Sequence, residues 1–336
     1  MGSKVTRVGL LGLGRAGSFH LQSLRLLENA YVEAVYDVDA DKAKQVASHH
    51  ACLAAKSADE IFDLPSIDAV IVATPTNAHY EFALKAIQAG VPVLTEKPLA
   101  QTLEQIDSCF EEAKKNSVPL FVAFQRRFDE SFASLIQAVR NGEVGQLQYV
   151  RSVSRDNPVP SMEYIKISGG IYHDCMVHDL DMVAQIVGEK PTHMSSFASS
   201  FIRGIGSQDD FDNVVASLFF PSGVTAMVDV NRKSVYGYDQ RLEAFGDGGM
   251  LQADNWHTTS VTRAAESGCT RPPVDFSFPT RYEQAYVSEV ECFLKCVNGE
   301  MDVPITHDDV RTNHLLANGL ELAAREKRVV AFDELE

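Results

Sequence analysis

Apolar runs and helical spacings alternate through the first third of the chain. Val5–Leu11 is an apolar run ending at glycine, and Val32–Tyr36 is a second, stopped by Asp37. Ala69–Ala73, Val91–Leu94 and Leu120–Ala123 follow as further short runs. Between them Leu21, Leu24 and Leu27 recur at helical spacing, as do Tyr80, Ala83, Leu84 and Ile87, with Gly90 as a stop. Thr102 opens another helix, with Gln105 placed for a capping box and Leu103, Ile106, Phe110 and Ala113 as its buried stripe. Strands that are apolar throughout, separated by helices, predict a parallel sheet covered on both faces and wound by crossover helices.

After Phe124 the rhythm changes. His193–Ile202, Asn213–Phe220, Val224–Val230 and Arg241–Phe245 follow one another as strands, with Pro221-Ser222-Gly223 and Gly246-Asp247-Gly248-Gly249 as hairpin turns. Helices are expected near Gly170–Val187, Gln284–Val297 and Asp308–Arg325, the last packing back on the first domain. The expectation is a doubly wound α/β Rossmann domain over 1–124, then an α/β domain over 125–336 built on an antiparallel sheet.

A chain of 336 residues has room for two such cores. Its formal net charge of −16 disfavours nucleic acid and anionic lipid as partners. The six cysteines include no Cys-x-x-Cys pair and no zinc-finger spacing, so they read as reduced, mostly buried thiols of a cytoplasmic protein. Neither a secretory signal nor a long apolar run is evident. Met1-Gly2 with Thr6 fits the loose myristoylation pattern, which is discounted because a strand begins almost at once.

The chemistry begins at Gly12-Leu13-Gly14-Arg15-Ala16-Gly17, a G-x-G-x-x-G run between a strand and a helix. Gly12 permits the tight turn, Gly14 admits a pyrophosphate to the backbone, and Gly17 lets helix and strand pack closely. The helix N-terminus then faces the anion. Asp37 lies 20 residues after Gly17 and suits a ribose 2′-hydroxyl, which favours NAD over NADP; Arg15 argues slightly the other way. The pattern leaves open a glycine turn that serves FAD, S-adenosylmethionine or nothing.

Two loops follow strands at the end where such sheets bind ligands: Thr74-Pro75-Thr76-Asn77-Ala78-His79 and Glu96-Lys97-Pro98. The charge of Lys97 suits stabilisation of an alkoxide; the plain alternative is a surface lysine bonded to Glu96. Farther on, Ser168-Gly169-Gly170 turns into a helix carrying Asp174 and His178 as i, i+4 neighbours, with Asp181 beyond. A histidine there suits removal of a hydroxyl proton. A surface ion pair, a satisfied buried histidine or a metal site stay open, the last without a convincing third ligand. Tyr236 through Arg241, Tyr282 and Tyr286 add hydroxyls that fit a polyhydroxylated ring, or core tyrosines.

Together the glycine fingerprint, Glu96-Lys97-Pro98 and the Gly-Gly-x-x-x-Asp-x-x-x-His order ending in His178-Asp179-Leu180-Asp181 resemble the glucose–fructose oxidoreductase/inositol dehydrogenase (Gfo/Idh/MocA) family over nearly the whole chain. Ser154-Arg155-Asp156, Tyr164-Ile165-Lys166, Tyr236 through Arg241, and Arg281-Tyr282 with Ala285-Tyr286 are most similar to its inositol 2-dehydrogenases. The resemblance implies a second domain with a large, mainly antiparallel sheet, and homo-oligomers, dimers or tetramers, packed through that sheet's open face. It implies Lys97, Asp174 and His178 as a catalytic group oxidising a ring secondary alcohol with NAD and no metal. It makes Gly12, Gly14, Arg15, Ala16, Gly17, Asp37, Thr74, Pro75, Asn77, His79, Glu96 and Lys97 the cofactor contacts. Arg127, Arg155, Asp156, Tyr236 and Tyr282 join the catalytic group as substrate contacts. A pyranose or other polyol dehydrogenase using NAD(P) and a catalytically silent NAD-binding regulator are the competing functions.

Overall fold

The apolar runs of the first third become strands β1 (Thr6–Leu11), β2 (Ala30–Tyr36), β3 (Leu53–Ala54), β4 (Ala69–Val72), β5 (Val93–Glu96) and β6 (Leu120–Ala123) in a computed structural model that describes residues 5–336. Every residue of β4, β5 and β6 is buried, as a strand covered on both faces requires. All pairs are parallel, in the order β3-β2-β1-β4-β5-β6. The order reverses between β1 and β4, which puts the topological switch point at the ends of those strands. The two-residue edge strand β3 carries too little apolar pattern to be foreseen.

Local chemistry sets the helix ends. The helix Leu103–Asn116 starts at Thr102, whose hydroxyl accepts the Gln105 N–H at 3.3 Å. The return arm differs from a capping box: Gln105 Oε1 takes the N–H of Gln101, one residue earlier, at 3.2 Å. Gly90, at φ +74°, closes the helix Thr76–Gln88, with Val91 N–H donating to Ala86 O at 2.9 Å. Met1 and Gly2, on which the myristoylation pattern rests, lie outside the described residues.

The second sheet holds β7 (Leu147–Arg155), β8 (His193–Ser199), β9 (Asn213–Phe219), β10 (Thr225–Asn231), β11 (Asp239–Gly246) and β12 (Gly249–Ala253). A separate exposed hairpin follows, β13 (Arg263–Ala265) and β14 (Gly268–Thr270), and it carries the exposed Cys269. β15 (Val330–Ala331) completes the seven-stranded order β12-β11-β7-β10-β9-β8-β15. The sheet is mixed: β7 and β10 run parallel, and the other pairs are antiparallel. Sequence reasoning did not mark β7, whose Arg151 and Arg155 interrupt its apolar residues. The turn at Asp247-Gly248 is as expected, with Gly246 opposite Gly249.

Alternate residues of β9, β10 and β11 are buried, among them Val214, Ala216, Val228 and Leu242. The opposite face exposes Phe197, Val215, Phe219, Phe245 and Met250. The helix expected over Gly170–Val187 starts as a π-helical turn, Tyr172–Met176, before the α-helix Val177–Val187. The helices Glu283–Val297 and His307–Glu326 close the chain.

The chain forms two compact units. One runs to Phe128, a little past Phe124, and takes in Glu283–Arg311; the other holds Asp129–Tyr282 and Thr312–Glu336. The helix His307–Glu326 is therefore shared between them. Among the described residues no helix is long and apolar enough to cross a membrane.

Candidate active site

In the first unit the glycine loop leaves β1 and enters the helix Arg15–Leu26. Gly12 has φ +89°, and a Cβ on it would meet Ala73 O at 2.5 Å. A Cβ on Gly17 would stand 2.0 Å from Gly12 O. Both positions are closed by the protein's own backbone. Gly14 is the opposite case: a Cβ there meets nothing within 4 Å. Gly14 caps the helix with no side-chain hydrogen bond, and the first turn has no acidic residue. An uncapped helix N-terminus beside open space at a glycine suits a phosphate approaching the backbone.

Asp37 sits at the end of β2 and holds this loop. Its Oδ2 accepts the Leu13 N–H at 2.7 Å and its Oδ1 the Asp39 N–H at 2.9 Å. Arg15 is exposed and Ala16 half-buried beside it. Val38, next to Asp37, is 92% exposed, an apolar surface that the sequence reading passed over.

The two further loops of this unit are joined by His79. The ring is buried, with Nδ1 2.8 Å from Pro98 O and Nε2 2.8 Å from Thr74 O. Both contacts are hydrogen bonds only in the imidazolium, whereas burial lowers the pKa and favours the neutral ring, which donates one of them. With both nitrogens facing backbone carbonyls, His79 staples the loops and has no nitrogen turned to a cofactor. Thr74 Oγ1 is shielded and lacks a hydrogen-bond partner, while Pro75 and Asn77 are exposed.

Glu96 is buried at the end of β5, and its Oε1 lies 2.8 Å from His20 Nε2. Burial pushes its carboxyl up, but the His20 hydrogen bond and the charges of His20 and Lys97 outweigh this and hold it below the usual carboxylate range. Glu96 is thus held against His20, and Lys97, half-buried, begins the loop. Arg127 is also engaged: its guanidinium pairs with Asp309 at 3.1 Å and donates to Pro304 O at 3.4 Å.

In the second unit Asp174 lies on the π turn and His178 on the α-helix that continues it. The wider turn changes the simple i, i+4 relation expected between them. Tyr164 donates to Asp174 Oδ1 at 2.7 Å, and Arg232 donates to Asp174 Oδ2 at 2.9 Å. His178 is 9% exposed. Cys175 Sγ donates to Asp156 Oδ2 at 3.4 Å, linking the turn to the end of β7.

A second polar cluster surrounds Asp239. It accepts from Tyr236 at 2.6 Å and from Arg241 at 2.8 and 2.9 Å, and Arg155 lies 3.6 Å away. Burial raises its carboxyl, but the Arg241, Tyr236 and Asn255 hydrogen bonds prevail and keep it below the ordinary range. Arg155 also pairs with Asp229 and donates to the half-exposed Tyr236 hydroxyl at 3.0 Å. Tyr282, by contrast, is 0% exposed, its ring packed on Phe132, Tyr238 and Arg281, which is the core alternative for that tyrosine.

Sequence reasoning missed Arg232 and Asp210. An arginine after an alternating strand and an aspartate in a turn carry no local signal; only their partners mark them.

The description of an oxidoreductase family with an NAD-binding Rossmann fold matches residues 6–124, and that of the GFO/IDH/MocA C-terminal domain matches 132–252. A myo-inositol 2-dehydrogenase of Thermotoga maritima is 36% identical, covering 98% of this chain and 99% of its own. An inositol 2-dehydrogenase of Rhizobium meliloti is 33% identical over 97% and 99%. The crystal structure of a probable dehydrogenase from Thermotoga maritima superposes with a TM-score of 0.95 at 36% identity, covering 98% of this chain and 100% of that one. The chain belongs to the Gfo/Idh/MocA family of NAD-dependent oxidoreductases.

Proposed function

We propose that this chain is an NAD-dependent dehydrogenase that oxidises a ring secondary alcohol of a cyclitol, myo-inositol to its 2-keto form. The whole-chain match to a myo-inositol 2-dehydrogenase carries this reading. The open cradle at Gly14 and the Asp37 carboxylate fit a dinucleotide.

Gly12, Gly14, Arg15, Ala16 and Gly17 would hold the pyrophosphate, Asp37 the adenosine ribose, and Val38 the adenine face. Thr74, Pro75, Asn77, Glu96 and Lys97 would line the nicotinamide end. NAD, when bound, supplies the acceptor for the hydride that leaves the carbinol carbon. His178 takes the hydroxyl proton as that carbon becomes a carbonyl. Lys97 stabilises the oxygen while it carries negative charge. Asp174 orients His178 or a substrate hydroxyl. Asp156, Arg155 and Tyr236 are the polar contacts for the remaining hydroxyls.

We further read the protein as a cytoplasmic homo-oligomer, a dimer or tetramer. The register places Phe219, Thr225, Tyr149, Phe245 and Met250 in one row across the open face of the second sheet, with Phe197 78% exposed beside it. Such a face favours burial against a second copy, which light scattering on the purified protein tests.

The reaction is tested by absorbance at 340 nm with NAD and myo-inositol, scyllo-inositol, glucose or galactose, then with NADP. NADH formation with an inositol supports the assignment. Turnover of a pyranose alone discards the cyclitol, and NADH binding without turnover of any of them points to the silent regulator.

A further inference from the structure

Arg232 follows β10 directly, where a charged residue ordinarily reaches solvent, yet it is completely buried. Its Nη1 donates to Asp174 Oδ2 at 2.9 Å and its Nη2 to Asp210 Oδ2 at 3.4 Å, while its Nε–H has no hydrogen-bond partner. A guanidinium removed from water is costly unless paired, and an apolar side chain of similar volume would fill the space more cheaply. The arrangement therefore calls for a reason beyond packing.

The two carboxylates differ in what else they hold. Asp210 Oδ1 accepts the Ile171 N–H at 3.0 Å and the Phe211 N–H at 2.7 Å, which ties it to backbone at the start of the π turn. Asp174 Oδ1 faces the hydroxyl of the half-exposed Tyr164. Arg232 thus grips the inward oxygen of Asp174 and anchors it to the same acid that fixes the turn. Among the groups around Asp174 are Arg232 after β10, Tyr164 on the helix Met162–Ile165, Cys175 beside it, Asp156 through Cys175, and Asp210 across the guanidinium.

We propose that Arg232 is a positioning residue for the reaction: it holds Asp174 ionised and oriented through its inward oxygen, one turn before His178. The inference rests on the dehydrogenase reading above. Arg232 acts through Asp174 and touches no reacting atom.

The test compares wild type, R232M, R232K and D210N, with D174N to identify the Asp174 signal in carboxyl 13C NMR titrations. NADH titration and the pH profile of kcat/KM accompany it. Loss of the cation in R232M should raise the Asp174 midpoint by about one pH unit or more. The acid limb of kcat/KM should follow it, and loss of the carboxylate's orientation should separately lower turnover near pH 7 at least about tenfold, with NADH affinity unchanged. R232K should recover part of the shift. D210N removes a competing negative charge and should leave the midpoint in place or lower it. If R232M does not fold, R232K carries the test, with a smaller shift in the same direction. An unmoved Asp174 midpoint in the folded variant, even with a lowered Tm, overturns the proposal and leaves Arg232 a packing role. A wild type that oxidises none of the substrates refutes the dehydrogenase reading instead, and the NMR titration still decides whether Arg232 governs Asp174.

Discussion

Replacing Gly14 with alanine separates binding from folding more cleanly than any other change in the glycine loop. The backbone at Gly14 has φ −66°, which an L residue adopts, and the added Cβ meets nothing within 4 Å. Alanine is a poorer N-cap than glycine, but it lowers the entropy of the unfolded chain, so the net change in stability should stay within about 1 kcal/mol. For a domain of this size that is about 2–4 °C in Tm. The same methyl occupies the space through which a pyrophosphate approaches the backbone. Losing one charge-assisted hydrogen bond costs about 1.5–3 kcal/mol, or about 10- to 150-fold in Kd. Calorimetric titration with NADH and a thermal melt on the same sample read both quantities. Gly12→Ala and Gly17→Ala are the contrast, since their methyls strike backbone oxygens at 2.5 and 2.0 Å and should lower the melting temperature sharply. A folded Gly14→Ala protein that binds NADH within about twofold of wild type would falsify the assignment of the pyrophosphate to this loop.

His178→Ala should cut turnover by about two to four decades while NADH binding stays near wild type; ordinary turnover would remove His178 as the base. Asp37→Ser should relax the preference for NAD over NADP, and because Asp37 also braces Leu13 it should weaken both cofactors; unchanged selectivity in parallel assays would misplace the ribose contact. Glu289 is fully buried, neither carboxyl oxygen has a hydrogen-bond partner, and burial with the Glu96 charge raises its pKa well above the usual value. The folded state therefore binds this proton more tightly than the unfolded chain, and stability falls as pH rises from about 4.3 toward the folded-state value, by up to about 1.4 kcal/mol per pH unit. Glu289→Gln should remove that slope and raise Tm at pH 8 with little change at pH 4.5; an identical pH dependence of melting in both proteins would contradict it.

The sequence by itself determined the nucleotide half of this protein. The fully apolar strands, the glycine spacing and the acid after β2 are local patterns, and each has one dominant structural outcome: a parallel strand, a tight turn into a helix, a carboxylate at the carboxyl end of the second strand. The family, too, was legible, because Glu96-Lys97-Pro98 and the Asp174 to His178 spacing are contiguous strings. Tertiary structure decided what those residues are bonded to. His79 proved to be a staple because carbonyls from two loops meet its ring, and Tyr282 went to the core because Phe132, Tyr238 and Arg281 close around it. β7 escaped notice because its pairing with β10 and β11, far away in sequence, stabilises it despite its charged residues. Arg232 was invisible for the same reason: a buried cation is defined by Asp174 and Asp210, 58 and 22 residues away, beyond the reach of any local pattern. Local spacing fixes which element a residue joins. Burial and charge pairing depend on contacts between elements, and these exist only once the chain has folded.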